Sequence, residues 1–177
     1  MLESGNSVKH SEDSDALFYA EGLPIRPISK NDLNSTLQVY RQAEDFLSLG
    51  PVSTASMRMV VADIAHSRAH KGFFCGIWDR SGIQIGILDF SLGEGRDATL
   101  WLLMISRPYR NLGFGSAILQ NLESYLNRKH GIEEIHSGVQ VNNEGGIAFW
   151  KKKGFVISNT PRDMGDGTVA FDMTKRI

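Results

Sequence analysis

Three apolar, strand-like runs follow one another between Phe73 and Ser106: "FFCGIWD", "IQIGILDFSL" and "ATLWLLMIS". Arg80-Ser81-Gly82 joins the first pair, and Gly93-Glu94-Gly95 lies between the second pair. Connections this short make hairpins, so the middle of the chain must be an antiparallel meander. The third run ends in a turn. From Gly113 to about His130 a helix is expected, with Phe114, Ile118, Leu122 and Tyr125 along one face and Gly131 as its stop.

The flanking segments add elements on either side. "LPIRPI" reads as an edge strand, because Pro24 and Pro27 bring no N–H to a central ladder. Asn31 is expected to cap a helix bearing Leu33, Leu37, Tyr40 and Leu47. A second helix, from about Ser53 to Gly72, carries Met57, Val60, Val61 and Ile64. Beyond the long helix come a strand, "EEIHSGVQV", a shorter helix capped by Asn142 or Asn143, and a hairpin of "FVIS" and "TVAFDMT". The order βαα-βββ-α-β-α-ββ implies an α/β fold: a mixed, mostly antiparallel central sheet with helices on both faces. One domain is expected over residues 21–177. Residues 1–20 are polar and acidic without an apolar signal-peptide core, and read as a loose leader or a short surface segment.

Composition removes several classes of function. Nineteen Lys and Arg against 20 Asp and Glu give a net charge of −1, with no electrostatic footprint for nucleic acid. No apolar run reaches the ~18 residues of a membrane span. The lone cysteine, Cys75, excludes an internal disulfide and fits a reducing compartment, so the expected location is the cytoplasm. Its apolar neighbours make Cys75 inert core.

The stretch "YRNLGFGSAI" (109–118) places an arginine and two glycines at R-x-x-G-x-G spacing, directly before the long helix. A strand, a glycine turn and a helix N-terminus bring free N–H groups and the positive dipole end to one spot, a site for phosphate or pyrophosphate. A dinucleotide fold would need a third glycine where Ile118 stands, and its acidic residue (Glu133 here) at the end of the next strand rather than its start. A P-loop would need a lysine after Gly115. A plain packing turn, in which glycine lets helix and strand come close, is the remaining alternative.

The chain resembles the GCN5-related N-acetyltransferase (GNAT) superfamily from about Leu23 onward. "LLMISRPYRNLGFGSAIL" is similar to the family's central strand, glycine loop and helix, and "NEGGIAFWKKKGF" to its second signature through Asn143, Trp150, Gly154 and Phe155. The resemblance implies acetyl-CoA as cosubstrate and no metal. Its pyrophosphate would lie on the amides of Arg110, Asn111, Leu112, Gly113, Phe114 and Gly115, with Ser116 also part of the cofactor site. It implies that the central strand and the one near Glu134 splay apart, so that pantetheine pairs with backbone at Leu103, Met104 and Ile105. The amide near Ile105 would polarise the thioester carbonyl. Asn143 would bond the pantetheine arm, with Trp150 beside it. The implied activity is transfer of an acetyl group to a small-molecule or peptide amine by direct attack. No nucleic-acid or membrane partner is expected, and a homodimer is left open.

Two positions depart from the family. Trp150 stands where many members have a tyrosine that protonates the leaving thiolate, and indole N–H is no acid at neutral pH. Gly138 stands where part of the family has a glutamate base. The catalytic residues are therefore unassigned. Asp89, Glu94, Glu144, a water chain and His136 remain as bases, and a silent acyl-CoA-binding regulatory module remains as the alternative function. Gly145 and Gly146 read either as room for cofactor or as an irregular helix start. His66 and His70 share a helix face without a third metal ligand, and Lys151-Lys152-Lys153 reads as a solvated face. Trp78, Trp101 and Tyr109 belong to the core or line the acceptor cleft. Residues 46–54 and 159–167 are the expected acceptor loops. Asp163 and Asp166 there either attract a cationic amine or serve as turn residues.

Overall fold

The computed structural model describes residues 15–177, so most of the expected leader lies outside the described residues. Eight strands form one sheet in the order β1-β2-β3-β4-β5-β6-β8-β7. They are β1 (Phe18–Ala20), β2 (Leu23–Pro27), β3 (Phe73–Trp78), β4 (Gln84–Leu92), β5 (Asp97–Ile105), β6 (Glu134–Gln140), β7 (Val156–Asp163) and β8 (Val169–Arg176). The β3-β4-β5 meander is antiparallel throughout, and β5 with β6 is the one parallel pair among the described strands. The helices are α1 (Leu33–Arg41), α2 (Glu44–Leu47), α3 (Met57–Ala69), α4 (Phe114–His130) and α5 (Glu144–Lys152).

Two apolar cores explain why helices cover both faces of the sheet. Ile118, Leu119, Leu122 and Leu126 of α4 pack with Ile85, Leu88, Phe90, Leu100 and Ile135 on one face. Leu37, Val39 and Tyr40 of α1 and Val60 of α3 pack with Phe74, Ile87 and Met104 on the other. Strand β4 is buried along almost its whole length because both layers lie over it.

Several expectations are corrected. "LPIRPI" is not the edge: β1, inside the stretch read as leader, pairs outside it. Glu21 (φ 52) and Gly22 (φ 79) make the two-residue turn between β1 and β2, with the doubly positive φ of a tight hairpin. Proline is tolerated in β2 because β1 is only three residues long and Pro27 ends its strand. The first cap is Ser29, not Asn31. Its hydroxyl accepts from the Asn31 amide, and Asp32 accepts from the Ser29 amide in return, a reciprocal box around a short 3-10 turn. The second helix starts at Met57, capped by Ser56, and ends at Ala69 with His70 as its C-cap.

Candidate active site

Strands β5 and β6 pair only through Asp97–Glu134, Ala98–Ile135 and Thr99–His136. Beyond Leu100 they diverge, and the Ser137 hydroxyl donating to the Leu100 carbonyl at 2.6 Å lies where they part. The divergence opens a cleft of about 870 Å³, with Leu103 and Ile105 on one wall, Gly138 and Val139 on the other, and Asn143 and Trp150 of α5 alongside. That volume lies in the range of sites for small molecules and cofactors.

One end of the cleft is built for an anion. After β5 the chain makes a 3-10 turn (Arg107–Tyr109) and enters the glycine loop. Asn111 (φ 61) and Gly113 (φ 88) take left-handed conformations, so the loop folds as a concave nest of amides. The amides of residues 111–115 have no hydrogen-bond partner among the described residues, and no side chain caps α4. The Arg110 amide is engaged by the Arg107 carbonyl at 3.2 Å, so the free run begins at Asn111. The two glycines serve different ends. Gly113 is required by its φ; Gly115 has ordinary dihedrals, and a Cβ there would meet only the Phe149 ring, at 3.7 Å. Five unpartnered amides at the positive end of a 17-residue helix fit a pyrophosphate.

The Arg110 side chain has other work. Its Nε donates to the Ile105 carbonyl at 2.7 Å and its Nη1 to Asp45 of α2 at 2.6 Å. Arg107 joins the same carboxylate at 3.4 Å. Burial would raise the Asp45 carboxyl, but the Arg110 hydrogen bond and charge outweigh it and hold the group below the usual range. On the far side, Asn142 donates to the Leu49 carbonyl at 3.1 Å. The segment from Asp45 to Leu49 is thus tied to the loops after both β5 and β6, and Phe46 from it lines the cleft. No local pattern in the sequence announces these ties, which join residues 65 and 93 positions apart.

The remaining residues of the expected cofactor site divide. Asn111, Gly113, Gly115 and Ser116 line the cleft, whereas exposed Leu112 and core-packed Phe114 border an adjoining hollow. Met104 buries its side chain in the α1/α3 core, pairs with Ile87 of β4, and does not line the cleft. Asn143 caps α5, its Oδ1 accepting from the Gly146 amide at 2.8 Å. A Cβ on Gly146 would fall 2.5 Å from the Asn143 Nδ2, so that glycine makes room for the cap itself. Trp150 is 9% exposed and meets Phe149 and Phe155 edge to face at 4.9 and 5.1 Å. Lys151 and Lys152 are exposed, as a solvated face requires, while Lys153 is half-buried; Lys152 and Lys153 also border the cleft.

The four side chains expected as bases are separated by position. Asp89 lies under α3, where Ser67 donates to it at 2.6 Å; burial pushes its carboxyl up to about 6. Glu94 lies in the β4–β5 turn and Glu144 at the start of α5, and neither they nor Asp89 line the cleft. His136 does, on the same β6 face as Gly138. His66 and His70 have ring centroids 4.3 Å apart, and both rings lie against Trp101. Among the described residues no group of three or more His, Cys, Asp or Glu is placed to hold a metal ion. Asp163 and Asp166 accept from the amides of Gly165 and Thr168, which makes them turn residues. Trp78 is core, while Trp101 and Tyr109 line the cleft.

Comparison with solved structures shows the same architecture. An acetyltransferase from Thermus thermophilus is similar at a TM-score of 0.74 and 20% identity, over 92% of this chain and 99% of that one. The PaiA N-acetyltransferase of Thermoplasma acidophilum, solved in complex with coenzyme A, gives a TM-score of 0.67 at 23% identity, over 88% and 99%. At these identities the likeness shows the fold. Residues 37–155, more than half of the chain, match the model of the Acetyltransferase (GNAT) family, and the chain belongs to that family, which uses acetyl-CoA. In sequence it is also similar to the probable N-acetyltransferase san of Drosophila melanogaster, 38% identical over 53 residues. That match takes in 30% of this chain and 29% of that protein.

Proposed function

We propose that this chain, through one domain over residues 21–177, transfers the acetyl group of acetyl-CoA to a primary amine by direct attack. One observation carries the reading: the β5/β6 cleft ends beneath five unpartnered amides at the α4 N-terminus. Acetyl-CoA supplies a thioester whose acyl carbon accepts the amine nitrogen. The amides of residues 111–115, with Lys152 and Lys153 nearby, would hold its phosphates. The open β6-facing edge of β5 at Leu103 would pair with pantetheine amides, as an added strand pairs with a sheet edge. The Ile105 carbonyl already accepts from Arg110 and keeps one lone pair for such a partner.

The chemistry then asks little of side chains. A C–N bond forms, the C–S bond breaks, and the ammonium proton must leave the nitrogen before attack. His136 is the titratable candidate base that lines the cleft, and it takes that proton in our reading. A thiol with a pKa of about 8.5, by analogy with cysteine, departs without a strong acid, so Trp150 in the tyrosine position is compatible with turnover. Positioning and oxyanion stabilisation supply most of the rate. The proposed location is the cytoplasm; no helix among the described residues is long and apolar enough to cross a membrane.

The test is release of free CoA thiol from acetyl-CoA in the presence of a panel of primary amines. Amine-dependent release supports the enzyme. Trp150 and Gly138 leave a second reading, a silent acyl-CoA-binding module, and calorimetric binding of acetyl-CoA without release for any amine would establish that reading instead.

A further inference from the structure

The end of the cleft away from the glycine loop has a chemistry of its own, and Trp101 dominates it. The β4–β5 register slips between Asp89 and Phe90, so that Asp89 faces Leu102, Phe90 faces Leu100, and Trp101 is the extra residue of a bulge. The slip turns the indole onto the α3 face. There His66 lies edge-on at 5.4 Å and His70 at 5.1 Å, and the indole N–H donates to the Ser91 hydroxyl at 2.9 Å. A ring held on several sides has little freedom to lose on binding, yet it stays 41% exposed and lines the cleft. Phe46 and the exposed Met164 line the same cleft.

The carboxylates in and around the cleft are already engaged. Asp172 is held by two hydrogen bonds from Arg162, at 2.9 and 3.3 Å. Asp45 is held by Arg110 and Arg107, and Asp163 and Asp166 fasten the β7–β8 turn. Arg110, Lys152 and Lys153 belong to the cofactor end; of the other charged side chains that line the cleft, Arg162 is paired with Asp172, and Asp166 accepts from the Thr168 amide. Such a mouth presents, among the described residues, no cluster of free carboxylates to gather a polycation.

We propose that the acceptor is a primary monoamine with an aromatic or bulky aliphatic group within a few bonds of its nitrogen, that group lying on Trp101, and that polyamines are poor acceptors. The proposal rests on the acetyl-transfer reading. The shared chemistry has two sources, a free arylalkylamine and the N-terminus of a peptide with a large apolar first residue.

Initial rates of CoA thiol release are measured with phenethylamine, ethylamine, spermidine, and short peptides starting with Phe or Ser. Phenethylamine or the Phe peptide should exceed ethylamine and spermidine in kcat/KM by at least tenfold, and whichever of the two is preferred names the source. In Trp101→Ala that ratio should fall toward one, with acetyl-CoA affinity by calorimetry unchanged. Spermidine turned over as well as phenethylamine, or a preference that survives Trp101→Ala, would overturn the proposal alone. The wild-type panel decides even where the variant does not fold. Binding of acetyl-CoA with no release for any amine would overturn the acetyl-transfer reading and this proposal with it.

Discussion

Replacing Gly115 by valine separates the anion site from the fold around it. Gly115 is the second residue of α4 and has ordinary helical dihedrals, so a side chain there meets no backbone strain. An added Cβ would touch only the Phe149 ring, at 3.7 and 3.8 Å, which is ordinary van der Waals contact. Helix propensity favours valine over glycine by a few tenths of a kcal/mol, so stability should hold or rise slightly. The two valine methyls would instead project into the cleft that Gly115 lines. Each charge-assisted hydrogen bond from a loop amide to a phosphate oxygen contributes about 1.5–3 kcal/mol. Losing two of them costs on the order of 3 kcal/mol or more, a loss of at least about a hundredfold in affinity.

Thermal melting reports the fold and calorimetry with CoA reports the site. A variant that melts like the wild type and binds at least a hundredfold more weakly is the expected result. A variant that melts like the wild type and binds CoA as tightly would refute the placement of the pyrophosphate on these amides. Gly113→Ala is the contrasting control: at φ 88 it should lower stability by about 1–2 kcal/mol before any ligand is added.

Three further outcomes follow from the geometry. Trp150→Phe should reduce kcat by less than about tenfold and leave its pH profile unchanged, because no titrating group is lost; Trp150→Ala should cost about 3–5 kcal/mol in chemical denaturation, since the ring is buried between Phe149 and Phe155. Asp89, raised to about 6 by burial, binds more protons folded than unfolded between its unfolded and folded pKa values, so its contribution is present at low pH and is lost as pH rises through about 6. Relative to wild type, Asp89→Asn should therefore gain on the order of 2 kcal/mol between pH 4 and pH 8, and a constant difference across that window would contradict the shift. Asp45→Asn should lower global stability by no more than about 1 kcal/mol, its carboxylate being partly exposed, while hydrogen-exchange protection falls at the Phe46 and Leu47 amides; unchanged protection would show that the arginine ties do not hold α2.

Much of the fold is legible in local pattern, and the misses have physical causes. The meander, α4 with its Gly131 stop, and the Asn143 cap depend on turn and cap chemistry within a few residues, and each falls where that chemistry places it. The second helix, expected from about Ser53, starts at Met57. Ser56 caps it through the Met59 amide, and Glu44, eleven residues away, accepts from the Ala55 amide just before the cap. The break between α1 and α2 carries no glycine or proline. There the Gln42 carbonyl accepts from the Arg107 amide, a partner that exists only once the sheet has formed. Strand β1 gives little sequence signal because three residues have no periodicity to read, although Glu21-Gly22 marks its turn.

The candidate site divides along the same line. The glycine spacing belongs to one turn, and that turn alone brings five amides to one concave surface, so the cluster of free amides is visible in sequence. What the arginine of that motif touches is not visible, because Asp45 lies 65 residues away in a different helix. The Trp101 end is less legible still. Trp101 reaches the cleft through a one-residue slip of register, and in a strand such a slip moves a side chain from one face to the other. The apolar run "ATLWLLMIS" gives no hint of where that slip occurs, since residues on both faces of it are apolar. The free-amide end of the cleft, built from one local turn, is therefore readable from a single chain, whereas the Trp101 end, built from a bulge, a helix and a distant hairpin, becomes readable only when those elements are in place.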